Sequence, residues 1–186
     1  MVSRIYFKDG EFPVKWNSFR YFGPTDSRFD HHVMRAGEPC VQDRGIMYLA
    51  TGQLQMVTAV AEVYQARRYI DRNHAKPCYV AFNTARTLRL LDLTGNFVTK
   101  VGASTAIHSG PRRTARAWSA AFYDIYPDID GLMYCSSMNG NAPAIALYER
   151  GRDALPARHL KHYPLAAKAL DDVMYGIALD LGYRIS

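Results

Sequence analysis

One carboxylate in this sequence stands apart from the others. Glu62 is the only acid between Thr51 and Ile70, in the run MVTAVAEVYQA, which is apolar almost throughout. On a helix its neighbours one turn away are Thr58, Ala59, Gln65 and Ala66. None is a cation, so no intrahelical ion pair accounts for it. A carboxylate so placed must reach solvent, find a tertiary partner or line a site.

Tyr48 precedes it in a short apolar segment, where a tyrosine either packs as core or turns its hydroxyl to a ligand. Arg28 stands in Ser27-Arg28-Phe29-Asp30-His31-His32. Its planar fork suits two-pronged binding of a phosphate, and a local ion pair with Asp30 is the alternative. Adjacent His31 and His32 point opposite ways on an extended chain, and no spaced acid or HExxH completes a metal site. Ser136 and Ser137 follow the segment GLMYC and enter the turn Met138-Asn139-Gly140-Asn141. A serine there aims its hydroxyl at a ligand or caps the turn.

The elements that must position these groups can be read from periodicity and punctuation. Residues 1–44, broken by Pro13, Gly23, Pro24, Gly37 and Pro39, read as irregular. Gly45–Ala50 predicts a buried strand, and Thr51 then caps a helix from Gln53 to about Asp71. Strands are expected at Cys78–Phe82, Leu88–Leu93, Gly131–Cys135 and Ala144–Tyr148. Pro111 opens a helix to about Tyr126, and a last amphipathic helix follows Pro164 with Leu165, Leu170, Val173, Ile177 and Leu181 on its face. Helices and strands are mixed without regular alternation, and neither GxGxxG nor GxxxxGK[ST] occurs. The fold class expected is α+β.

With 186 residues, 48% hydrophobic and 22% charged, the chain is expected to form a single domain over residues 1–186. Cys40, Cys78 and Cys135 are too widely spaced for a metal knuckle and too few for a disulfide framework, so free thiols are expected. The formal net charge of +6 suits an anionic partner, but only Arg67-Arg68 and Arg112-Arg113 are adjacent cations. Direct nucleic-acid binding is therefore not expected. Neither a secretory leader nor a membrane span is legible, which makes the cytoplasm the expected location. Self-association stays open.

Taken together, these residues resemble the RES domain, a family named for its Arg, Glu and Ser. The matching elements are Arg28-Phe29-Asp30, then Met47-Tyr48-Leu49-Ala50 leading to Ala59 and Glu62, and later Gly131-Leu132-Met133-Tyr134-Cys135-Ser136. Between them Leu90–Gly95 is similar to the family's LDLTG and Arg116-Ala117-Trp118 to its helical element. The likeness is strongest over residues 19–150. Where the family carries Gly-Gly-Arg, this chain has Asp26-Ser27-Arg28. The family serine is Ser136 by its spacing from Tyr134, with Ser137 as the alternative.

The resemblance implies an ADP-ribosyltransferase-like fold, a split and bent β-core with helices around a cleft for NAD⁺. It implies a toxin that releases nicotinamide by hydrolysis or phosphorolysis, or transfers ADP-ribose to a protein, and that a helix-turn-helix antitoxin neutralises. Water, phosphate and a protein side chain all remain open as acceptor. Bond cleavage at the anomeric carbon passes through an oxocarbenium-like state, which a carboxylate stabilises more than the ground state. The resemblance gives that role to Glu62 and implies that Tyr48 orients the nicotinamide. Arg28 would bind the pyrophosphate, with Arg20 and Arg44 as the other candidates, and Ser136 would hydrogen-bond the substrate. Arginine-directed transferases carry a second Glu where this chain has Val60, which argues against arginine as acceptor. A non-catalytic interaction protein is the reading from a different class.

Overall fold

The structure is a computed structural model describing residues 1–186. In chain order its strands and helices are β1 (Val2–Phe7), β2 (Arg20–Gly23), β3 (Cys40–Thr51), α1 (Gln55–Tyr64), β4 (Tyr69–Ile70), β5 (Pro77–Phe82), β6 (Leu90–Asp92), α2 (Phe97–Lys100), α3 (Ala106–Ser109), α4 (Arg112–Ile125), β7 (Gly131–Cys135), β8 (Pro143–Tyr148), β9 (Lys161–Pro164), α5 (Asp171–Leu181) and β10 (Arg184–Ile185). Eight strands form one mixed sheet in the order β6-β7-β8-β3-β1-β5-β9, with β2 pairing β3, while β4 and β10 make a small parallel pair. The class is α+β, as expected.

The sheet is split along its middle. β1 pairs with β5 over its whole length, from Val2↔Phe82 to Phe7↔Pro77. It meets β3 only at Val2↔Thr51 and Ser3↔Ala50. Beyond that junction β3 turns to β2 on this side, through Arg20↔Ile46 and Phe22↔Val41, and keeps β8 on the other, from Ile46↔Tyr148 to Ala50↔Ala144. Arg4–Phe7 of β1 and Ile46–Leu49 of β3 thus form the two sides of a wedge.

Strand alternation decides what fills each face. Met47 and Leu49 of β3 join Val2, Tyr6, Val80, Phe82, Ile145 and Leu147 in one cluster that runs across both halves. On the opposite face the helices stand in two groups. α1 and α5 pack Val60, Met174 and Ile177 on Ile5, Tyr79 and Ala81. α4 packs Ala115 and Phe122 with Phe29, Leu132, Ala146 and Tyr148. The space between the two groups lies over the split. None of the helices is long and apolar enough to cross a membrane.

Several expectations need correction. Residues 1–44 contain β1 and β2. β1 is central and buried on both faces, so it lacks the period-two pattern of a half-exposed strand, and Arg4 interrupts its apolar run. Thr51 does not cap α1; it is the last residue of β3, and its hydroxyl donates to the carbonyl of Met1. The helix starts at Gln55 without a side-chain cap and ends at Tyr64, short of Asp71. Arg68, at a φ of 46°, turns the chain out of it toward β4. After Pro164, Leu165 and Leu170 precede α5, and Met174, Ile177 and Ala178 are its buried residues while Val173 is exposed.

Candidate active site

A cleft of about 520 Å³ opens in the wedge, within the ~300–1,000 Å³ range usual for small-molecule sites. Its walls include Arg4, Ile5 and Phe7 of β1, Ile46–Ala50 of β3 and Thr58, Ala59 and Glu62 of α1. Arg28 and Asp26 come from the loop after β2, Arg112 from the start of α4, Tyr134 from β7 and Ser137 from the turn beyond it. Three of the four residues singled out by sequence, Arg28, Tyr48 and Glu62, therefore line one cavity. The fourth, Ser136, stands directly behind Glu62.

α1 presents Glu62 to the cleft because its neighbours Val60 and Ala61, both wholly buried, lock the helix onto the sheet. Ser136 has no exposed surface and donates its hydroxyl to Glu62 Oε1 at 2.5 Å. Such a short bond to a carboxylate is of the strong, charge-assisted kind. The turn carrying Ser136 is tied to the same helix a second time, since Asn139 Nδ2 donates to Thr58 Oγ1 at 2.9 Å. Its tight return uses Gly140 and Asn141, both at positive φ. The resemblance leads one to expect Ser136 to touch substrate. The Ser136 hydroxyl also accepts from the Met138 N–H at 3.2 Å, and Ser136 is not among the residues lining the cleft. Ser137 is the serine on the cleft wall.

Burial raises the pKa of Glu62 above the ordinary carboxylate range. The Ser136 hydroxyl, the Arg28 and Arg112 guanidiniums and Gln65 pull the other way without cancelling it. The anion is consequently poorly solvated and strongly felt by any positive charge that develops beside it.

Arg28 is not paired with Asp30. Its Nη1 donates to the carbonyls of Gly110 at 2.8 Å and Ile107 at 3.3 Å, which fixes the head against the loop before α4. The backbone there is pinned by Phe29, which has no exposed surface, packs on Tyr134 at 4.7 Å between ring centroids and adopts a φ of 61°. Ser119 donates to the Phe29 carbonyl at 2.7 Å. Asp30 is the hub of the loop: it accepts from Arg20 at 2.9 Å, from the Thr25 N–H at 2.7 Å and from His32 Nδ1 at 2.5 Å. His31 and His32 are both buried, with His31 stacked on Tyr123 at 4.4 Å.

Tyr48 turns its hydroxyl inward, where it is buried and forms no hydrogen bond, facing Ser27. Burial pushes its pKa well up, so it remains a neutral phenol. Of the reserve arginines, Arg20 lines the cleft but is held by Asp30 and the Phe22 carbonyl. Arg44 pairs with Asp124 at 2.8 Å and is not among the residues lining the cleft.

Sequence reasoning missed Arg112 and Arg4. Arg112 bridges Asp26 at 2.5 Å and Gln65 Oε1 at 2.7 Å, beside Glu62. Its only signal was the Arg112-Arg113 pair at a helix start. Asp26 stands where the resembling family has glycine, and its carboxylate also reaches Arg116 at 3.3 Å. Arg4 lay in a segment read as irregular. The arrangement joins one desolvated carboxylate, a group of guanidiniums and a buried phenol, which suits an anionic ligand whose reacting centre becomes cationic.

A family model described as the RES domain matches residues 2–168, wider at both ends than the motifs alone. No curated protein and no solved structure matches.

Proposed function

The chain belongs to the RES domain family, and on that premise we propose that it cleaves the nicotinamide–ribose bond of NAD⁺ as the toxin of a toxin–antitoxin pair. The observation that carries the proposal is Glu62: a desolvated carboxylate on the cleft wall, oriented by Ser136 and flanked by Arg28 and Arg112.

NAD⁺ enters as the substrate. As nicotinamide leaves, positive charge grows on the anomeric carbon and its ring oxygen, and the Glu62 anion stabilises that charge more than it stabilises the ground state. The leaving group departs neutral, so no paired acid is required. Tyr48, with an unpartnered hydroxyl, orients the nicotinamide end. Arg28 holds a phosphate, because Nη1 is anchored on backbone carbonyls while Nε and Nη2 have no protein partner. Ser136 keeps the carboxylate in place.

The acceptor is water or inorganic phosphate. Val60, where an arginine-directed transferase has its second acid, has no exposed surface, so no side chain at that position reaches an acceptor. The whole chain acts as one catalytic unit in the cytoplasm, and a helix-turn-helix antitoxin neutralises it.

Purified protein incubated with NAD⁺ should release free nicotinamide. The co-product should be ADP-ribose, or its 1″-phosphate when phosphate is present, with no label transferred to protein. Stoichiometric ADP-ribose on a protein would replace the proposal with transfer. Neither free nicotinamide nor label would leave a binding protein.

A further inference from the structure

Where β6 and β7 part, an imidazole takes the place of a backbone hydrogen bond. The two strands run parallel, with Leu90↔Gly131 to Asp92↔Met133 in register. The ladder continues one step further, where the Leu93 N–H donates to the Met133 carbonyl at 2.9 Å. In a parallel ladder the next bond would run from the Cys135 N–H to the Leu93 carbonyl. His108 of α3 stands between those two groups. The Cys135 N–H donates to its Nδ1 at 3.4 Å, and its Nε2–H donates to the Leu93 carbonyl at 3.0 Å. On the other edge of β7 the pairing with β8 runs on, since the Ser136 N–H donates to the Ala142 carbonyl at 2.8 Å.

The insertion fixes the state of the ring. A carbonyl only accepts and an amide N–H only donates, so Nε2 carries the proton, Nδ1 is bare and the ring is neutral. His108 is buried, and burial lowers its pKa below the ordinary imidazole value; the Arg28 charge adds to this and the Leu93 carbonyl opposes it. An apolar side chain could fill the space beside Phe29, whose ring lies 6.3 Å away between centroids. It would leave the Leu93 carbonyl and the Cys135 N–H without partners in the interior, which is costly. The ring also stands between the two ends of the site. Cys135 leads directly into Ser136, whose hydroxyl holds Glu62. Ile107 and Gly110, on either side of His108 in the chain, supply the two carbonyls that hold Arg28.

We propose that His108 is a positioning residue for both ends of the cleft: its neutral ring sets how β7 parts from β6, and with it the Ser136–Glu62 hydrogen bond and the carbonyl anchor of Arg28. It touches no substrate and acts through Ser136 and Arg28. What those groups do to NAD⁺ rests on the reading above, while the insertion and its hold on Glu62 do not.

The test combines NMR and kinetics on the full chain. Nitrogen NMR of the labelled histidine side chains should show His108 neutral at pH 7 with its proton on Nε2; a proton on Nδ1 overturns the proposal. Carbon NMR of the glutamate carboxyls then follows the Glu62 titration. His108→Phe keeps a ring and removes both hydrogen bonds, so the Ser136 bond that holds the Glu62 pKa down should weaken and Glu62 should titrate at higher pH than in wild type. His108→Gln, whose amide carries one acceptor and one donor at about the spacing of the ring nitrogens, should restore the wild-type titration. In NAD⁺ turnover His108→Phe should lower kcat and raise KM together, each by about 10-fold or more, and His108→Gln should recover most of both. A Phe variant that melts lower but keeps the wild-type Glu62 titration, kcat and KM makes His108 a packing residue alone and overturns the proposal. If His108→Phe does not fold, His108→Asn carries the comparison, because it keeps an acceptor for the Cys135 N–H but falls short of Leu93; wild-type kcat and KM in that variant overturn the proposal. Wild-type protein that releases no nicotinamide, with the Glu62 titration moving as expected in the variants, sustains the positioning role and overturns the NAD⁺ reading instead.

Discussion

At Glu62 the fold holds a carboxylate in surroundings that favour its neutral form. Because its folded pKa is raised, the group favours the folded state below the ordinary glutamate value, near ~4.3, and loses that contribution as pH rises through the raised value. Ionised Glu62 near neutrality therefore strains the fold. Glu62→Gln should lower NAD⁺ turnover on the order of 10²-fold or more, about 3 kcal/mol of transition-state stabilisation, while the melting temperature stays level or rises. Near-wild-type turnover in a folded variant would remove Glu62 from the chemistry. Ser136→Ala deletes a donor that holds the Glu62 pKa down. The acid limb of its kcat/KM profile should move to higher pH, with activity recovering at alkaline pH. A uniform loss at every pH would instead mean that Ser136 only supports the turn. Arg28→Lys should raise KM for NAD⁺, since one ammonium cannot grip both the Gly110 carbonyl and a phosphate. Unchanged kinetics would shift the phosphate contact to another cleft arginine.

The elements matter here mostly through loops tied to helices. The segment between β2 and β3 carries Arg28 and has no repeating structure of its own over residues 24–34. Asp30 supplies its order through bonds to Arg20, Thr25 and His32. Burial alone would raise the Asp30 pKa, but the His32 ring, the Arg20 guanidinium and the Thr25 N–H overcome it and hold it well below the usual range. A depressed carboxylate stabilises the fold above its unfolded pKa, near ~3.9, and that stability is lost as pH falls through the lower folded value. Asp30→Asn should therefore destabilise the protein at pH 7, by about 3 kcal/mol or more as for other broken buried pairs, and weaken the pH dependence of melting in the acid range. It should also raise KM by loosening the Arg28 loop. A variant that melts like wild type would show that Phe29 and Ser119 hold the loop without Asp30.

Across the whole molecule, the two halves of the sheet share a single hydrophobic cluster on one face and only two residue pairs between β1 and β3. A ligand in the wedge touches both halves, so its binding energy adds to the stability of the junction. ADP-ribose at 100 times its dissociation constant should stabilise the fold by about 2.7 kcal/mol. Amide exchange should slow at Arg4–Phe7 and Ile46–Leu49. Stabilisation without protection of those strands would place the ligand outside the wedge.

What the sequence determined by itself was local. Glu62 could be singled out because an acid without a helical partner in an apolar run is expensive wherever it lies. The strands at Cys78–Phe82, Gly131–Cys135 and Ala144–Tyr148 were legible because unbroken apolar runs bounded by turn residues have few other uses. β1 was not, because a strand buried on both faces shows no alternation and this one carries an arginine. Only the tertiary structure decided which groups meet. Ser136 and Glu62 are 74 residues apart in the chain, and their hydrogen bond depends on how β7 and α1 pack. The choice of Gly110 and Ile107 over Asp30 as the anchor of Arg28 follows from the same cause. Partner choice among charged groups is set by distance and burial in three dimensions, and neither is a property of local sequence.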